Sequence, residues 1–141
     1  MRGAGKNGRI HFPLLEKRRP EERFSLIRCF FCTETQRGNK TLVIASEILI
    51  ALLLYPCPGQ VKQLKNDIKI ACANAYVREY QSGDSQIQLI MYDFSYNIRT
   101  GLLNFKKNLF NRIYPVSVFY GLCLHLNATL KGGEKQQSKS R

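Results

Sequence analysis

Residues 39–60 read NKTLVIASEILIALLLYPCPGQ, and the fold turns on how this stretch is taken. A membrane span, a cleaved targeting segment and a buried core helix each begin this way. The apolar run covers 41–55 and is interrupted by Ser46 and Glu47. A helix that crosses a bilayer needs roughly 20 apolar residues, so the run is short for a span. A glutamate within it adds to the difficulty. The block Ile48–Tyr55 matches the roughly 7–15 apolar residues of a targeting segment, with Lys40 as a positive flank. Pro56, Pro58 and Gly59 break the helix where a cleavage region would follow. The pattern therefore favours a targeting or anchor helix over a core helix, although Pro56-Cys57-Pro58 is poor cleavage chemistry.

Upstream, residues 1–40 hold seven Arg, three Lys and four Glu, without sustained apolar periodicity. That composition reads as a basic leader, disordered or transit-like. The formal charge of the whole chain is +12. It is spread over both halves: ten Lys or Arg against five acids in 1–59, and twelve against five in 60–141. A diffuse positive field favours anionic partners such as nucleic acid, an anionic membrane surface or an acidic protein face.

Downstream, residues 61–81 carry Val61, Leu64, Ile68, Ala71, Cys72 and Ala75 at three- and four-residue spacing, which predicts an amphipathic helix. Lys62, Lys65, Asn66 and Lys69 fall mostly on its other face. Ser82-Gly83-Asp84-Ser85 reads as a stop followed by a new helix cap. Ile87, Ile90, Met91, Phe94, Ile98, Leu102, Phe105 and Leu109 then form one stripe, which predicts a single long helix over 86–113, weakened at Gly101 and ended by Pro115. Residues 116–130 are apolar and read as a third helix or a strand, because a β-branched start and the alternation CLHLN compete with helical spacing. The tail 131–141 is polar and basic, and reads as disordered.

No strong catalytic motif is present. Cys29-Phe-Phe-Cys32 has the spacing of a redox pair or half a zinc site. It lacks a thioredoxin-like context and a second ligand pair, so packing is the better reading. Cys123 and His125 are two apart and do not share a helix face. Asp67, Glu79, Asp84, Asp93 and Glu134 contain no pair at three- or four-residue spacing, so a hard-metal or acid–base pair is not indicated. No catalytic residue, metal or cofactor is expected. The candidate partner-binding residues are the cations Lys62, Lys65, Lys69, Arg78, Arg99, Lys106, Lys107 and Arg112. Nucleic-acid binding is the weaker use for them, since no recognised module accompanies the charge.

Two patches point to a family. LKNDIKIACANAYVREY (64–80) is similar to a helix of the PsbQ-type extrinsic proteins of photosystem II, and YDF (92–94) with LFNRI (109–113) resembles that family's next helix. In the family the Tyr-Asp follows the Arg directly, whereas Tyr92 here lies well beyond Arg78. The resemblance implies a helical subunit of the thylakoid lumen, without catalysis, held electrostatically on a membrane complex.

The expected architecture is all-α. A basic leader (1–40) and a hydrophobic targeting or anchor segment (41–59) precede a small helical bundle (60–130) and a disordered tail (131–141). The expected role is docking on the acidic face of a membrane protein complex, with anionic lipid as a further partner and the chloroplast thylakoid as location. The alternatives are a single-pass membrane protein with a basic domain and a nucleic-acid-binding module.

Overall fold

The computed structural model describes residues 20–111 and 116–139, with side chains for 21–103 and 117–132. Among these residues five helices and two short strands follow one another. They are α1 (Pro20–Gly38), β1 (Thr41–Val43), α2 (Ser46–Leu54), α3 (Gln60–Arg78), β2 (Gln86–Gln88), α4 (Tyr96–Asn111) and α5 (Val116–Lys139), with one 3-10 turn at Met91–Asp93. The chain is thus mostly helical, in line with the all-α expectation.

The apolar run quoted above becomes the centre of this fold. Its helical part, α2, is nine residues long, and Ile48, Leu49, Ile50, Ala51, Leu52 and Leu53 are all buried. Six consecutive buried residues leave no solvent face, so α2 must be covered on every side. Helices α1, α4 and α5 cover it. Nine residues span only about 14 Å, and no helix among the described residues is long and apolar enough to cross a membrane. Where the sequence pattern favours a targeting or anchor segment, the structure therefore places a core helix. Its end is local chemistry. Tyr55 precedes Pro56 and is held extended (φ −74°, ψ 148°), which stops the helix.

The expected leader also changes character. From Pro20 onward it is α1, with Glu21 and Glu22 in the first turn and Arg37 in the last, signs that suit the helix dipole. Phe24, Ile27 and Phe31 are buried at helical spacing. Arg23, Glu34 and Thr35 are buried beside them, and these polar residues mask the apolar period in the sequence. Asn39 closes the helix in the left-handed region (φ 58°), its N–H donating to the Thr35 carbonyl at 3.0 Å. Residues 1–19 of the expected leader lie outside the described residues.

Helix α3 answers its expectation closely: Leu64, Ile68, Ala71, Cys72 and Ala75 are buried, and Lys62, Lys65 and Lys69 lie toward solvent. The long helix expected over 86–113 does not form as one piece. Gly83 turns the chain at φ +73°, and the next element is a strand rather than a new helix. Gln86, Ile87, Gln88 and Leu89 alternate exposed and buried, a period of two. The Asp93 carboxylate then accepts the Ile90 N–H at 2.9 Å, a local bond that competes with helix formation and fixes the 3-10 turn. Only from Tyr96 does the stripe run as helix α4, with Ile98 buried and Leu102 packed on the core. Gly101, the expected weak point, lies where α4 crosses α2. Pro115 lies outside the described residues. Helix α5 resolves the ambiguity at 116–130 in favour of helix and continues to Lys139, so much of the tail expected to be disordered is helical.

The strands pair in parallel, Thr41 with Gln86, Leu42 with Ile87 and Val43 with Gln88. Parallel pairing needs a crossover, which α2 and α3 supply. Just past the end of β1, Asn127 of α5 imitates a further strand. Its Nδ2 donates to the Ile44 carbonyl and its Oδ1 accepts the Ile44 N–H, both at 2.9 Å. Removal of that amide leaves the Ile44 N–H unpaired, at a cost of about 1–2 kcal/mol, and leaves the Ile44 carbonyl only the weak donor of the Cys123 thiol at 3.3 Å. Asn127→Ala is therefore expected to lose about 2 kcal/mol in denaturant unfolding. A variant as stable as the parent would remove the pairing role assigned to this amide.

Candidate functional site

The eight cations expected to bind a partner do not form one patch. Lys62, Lys65 and Lys69 lie on the outer side of α3, turned to solvent. Arg99 lies on α4, its guanidinium over the Tyr92 ring at 5.2 Å. Lys106 and Lys107 are on α4 with side chains outside those described, and Arg112 lies outside the described residues. Helix α3 packs on α1 and on the 3-10 turn, whereas α4 packs on α2.

Arg78 is a structural residue. Its Nη2 donates to Asp93 Oδ2 at 2.8 Å and to the Gln88 carbonyl at 2.9 Å, while Nε reaches Asp93 Oδ1 at 3.3 Å and Nη1 reaches Glu79 at 2.7 Å. The forked geometry suits a carboxylate. Asp93 is 4% exposed, and Arg78 is the cation paired with it there. The hydrogen bonds to Asp93 hold the Arg78 guanidinium above its already high ordinary pKa. Nearby, Asn74 Nδ2 donates to the Asp93 carbonyl at 2.9 Å. One arginine and one asparagine of α3 thereby clamp the 3-10 turn, and neither spacing nor charge in the sequence announces the pairing.

Around this clamp, large apolar side chains are left in solvent. Ile70 and Val77 lie one turn to either side of Asn74 on α3, and Tyr92 and Tyr96 flank Asp93. They are 49%, 78%, 82% and 74% exposed respectively. Singly exposed apolar residues are ordinary, but grouped ones mark contact surfaces. A cleft of about 590 Å³ opens on the other side of Arg78, lined by Glu79, Asp84, Ser85, Gln86 and Gln88 with Val43 and Ile90. Its lining is mostly polar, and it contains no histidine, cysteine or basic residue apart from Arg78.

Most of the other candidate groups are packed, with Cys29 the exception. All five cysteines are free thiols: Cys29 is exposed, Cys32 half-buried, and Cys57, Cys72 and Cys123 buried. Cys123 donates to the Ile44 carbonyl at 3.3 Å, and His125 accepts from Arg28 at 3.2 Å, so the two are not paired. Among the described residues no three His, Cys, Asp or Glu side chains are grouped to hold a metal ion. His11 lies outside the described residues.

One buried cluster has a pH signature. The Tyr55 hydroxyl donates to Asp67 at 2.6 Å and accepts from the Cys57 thiol at 3.3 Å. Burial, then the bond to Asp67, raises the Tyr55 pKa strongly. Burial likewise raises the Cys57 and Cys72 thiols and pushes the Tyr76 phenol up to about 12. All these groups are neutral when protonated, and each native pKa lies above its unfolded value. Their contribution is fully present below the unfolded values, about 8.5 for Cys and 10 for Tyr. It is lost as pH rises toward the native ones, because the folded state then binds more protons. Thermal melts should show a melting temperature that falls from about pH 9 upward, with a shallower fall for Tyr55→Phe. A flat profile to about pH 11 would contradict the burial of these groups.

The chain is 32% identical over 80 residues to the transcriptional regulatory protein DagR of Salmonella typhimurium (strain 14028s / SGSC 2262), a match covering 57% of this chain and 9% of that protein. It is 28% identical over 100 residues to the transcriptional regulatory protein LevR of Bacillus subtilis (strain 168), covering 71% of this chain and 11% of that one. The matched stretch is about a tenth of the length of these relatives. No family model and no solved structure matches the chain.

Proposed function

We propose that this chain is a helical docking module of a transcription regulator and works by protein contact. The similarity to a tenth of two transcriptional regulatory proteins carries this reading. A stretch so short in so long a protein is one part among several, and parts of one chain communicate through their surfaces. The exposed Ile70, Val77, Tyr92 and Tyr96 support contact with protein, because a packed partner removes such side chains from water. Docking by a helix face is also the role the sequence pattern suggests. The partner is now another part of a regulatory assembly rather than a membrane complex.

The test is a chimera. The matching stretch of the Bacillus subtilis regulator is replaced by this chain, and transcription is read from a reporter that the regulator controls. Regulated expression is expected from the chimera and not from a version lacking the stretch. A chimera that accumulates normally but regulates no better than the deletion overturns the reading.

A further inference from the structure

The group of Ile70, Val77, Tyr92 and Tyr96 carries a charge pattern of its own. Arg99 of α4 stands over the ring of Tyr92, and Lys69, exposed on α3, lies about a quarter turn round the helix from Ile70. Among the described residues no carboxylate lies within ion-pair distance of Lys62, Lys65, Lys69 or Arg99. Three of the nearby acids are already engaged. Asp93 and Glu79 both face Arg78, and Asp67 accepts from Tyr55 and Gln63. Asp84 belongs to the turn before β2. The apolar group is therefore bordered by uncompensated positive charge.

We infer that this patch docks an amphipathic protein segment whose apolar face is bordered by Asp and Glu. This inference rests on the reading that the module works through protein contact. Ile70, Val77, Tyr92 and Tyr96 would take the apolar face, while Lys69 and Arg99 meet the acids. Charge complementarity of this kind sets orientation and association rate, and the buried apolar side chains set the lifetime. Nucleic acid fits less well. A base stacks on an open aromatic face, but the Arg99 guanidinium already stands over one face of Tyr92. Ile70 and Val77 offer no stacking plane, and a phosphate backbone would leave them wet.

The experiment uses the full chain, labelled with nitrogen-15. It is titrated with a synthetic amphipathic helix of Leu and Ala bordered by Glu, with its twin bordered by Lys, and with duplex DNA. The Glu peptide is expected to shift the amides of Ile70, Asn74, Val77, Tyr92 and Tyr96, and the Lys twin to leave them in place. Val77→Asp and Tyr96→Asp should each weaken the Glu peptide about tenfold or more. Both positions are exposed, so melting temperatures should match the parent. Leu124→Asp, on α5 and 74% exposed, should bind as the parent does. Shifts confined to other residues, an equal response to the Lys twin, or DNA shifting the same amides would overturn the proposal. The reporter chimera is read separately. An inactive chimera with peptide binding intact removes the regulator reading, and an active chimera with no peptide response at this patch removes the docking surface.

Discussion

Replacing Gly101 by valine should unfold most of the chain, and alanine there should cost about 3 kcal/mol. A Cβ on residue 101 would meet the Ala51 carbonyl oxygen and lie 2.7 Å from Ala51 Cα and 2.8 Å from its carbonyl carbon. These are main-chain atoms of α2, and no side chain can swing aside to make room. Helix α2 cannot retreat either, because α1 and α5 also pack on it. The two helices must separate and thereby open the core around Ile48–Leu53. Alanine at a helical glycine normally gains about 1 kcal/mol of propensity, so the steric cost has to exceed that gain before any loss appears. Gly121 provides the comparison. It is also helical and exposed, and a Cβ added there would have nothing within 4 Å. Gly121→Ala should stabilise by up to about 1 kcal/mol, while Gly101→Ala destabilises in the same denaturant series. Equal behaviour of the two would mean that the α2–α4 crossing is looser than the structure has it.

The second large effect is expected at Arg78. Its removal strands the Asp93 carboxylate in a site only 4% exposed. Losing one partner of a buried pair typically costs about 3–5 kcal/mol, most of it the penalty of the remaining charge. Arg78 is itself partly solvated, with a side chain 31% exposed, so the reverse change is milder. Asp93→Asn, which keeps the shape, should cost about half as much as Arg78→Ala. The double variant should fall well short of the sum, because the two changes remove one shared interaction. Additive losses would show that the pair is not coupled. The turn at 91–93 should loosen in either variant, visible as faster amide exchange at Ile90, whose N–H is held by Asp93. Since Tyr92 and Tyr96 flank that turn, the same variants should also weaken the acidic peptide at the proposed docking patch.

Arg78 shows how charge in a sequence can mislead. By charge alone it groups with Lys62, Lys65 and Lys69, although nine residues, about two and a half helical turns, set it on the other side of α3 from Lys69. Its partner is fifteen residues away, across a turn and a strand. The three lysines do occupy the solvent side that the three- and four-residue spacing assigns them, because that spacing is a property of one helix alone. Tyr92 and Tyr96 stand off the apolar stripe in the sequence; their place beside the Asp93 turn follows from the break between β2 and α4.

That contrast runs through the whole chain. Local sequence suffices for helix α3, its buried face and its lysines, for the predominance of helix, and for the Pro-based stop after Tyr55. Each rests on interactions between residues a few positions apart. Long-range packing is needed to make Ile48–Leu53 a core helix, QIQ (86–88) a strand and Gly101 a crossing point. A nine-residue helix with no polar face has the same local pattern in a membrane, in a targeting segment and in a core. What distinguishes them is the cover, and here it comes from α1, α4 and α5, elements that no local periodicity ties to it. Likewise three strand residues gain their pairing only from β1, which lies more than forty residues earlier in the chain.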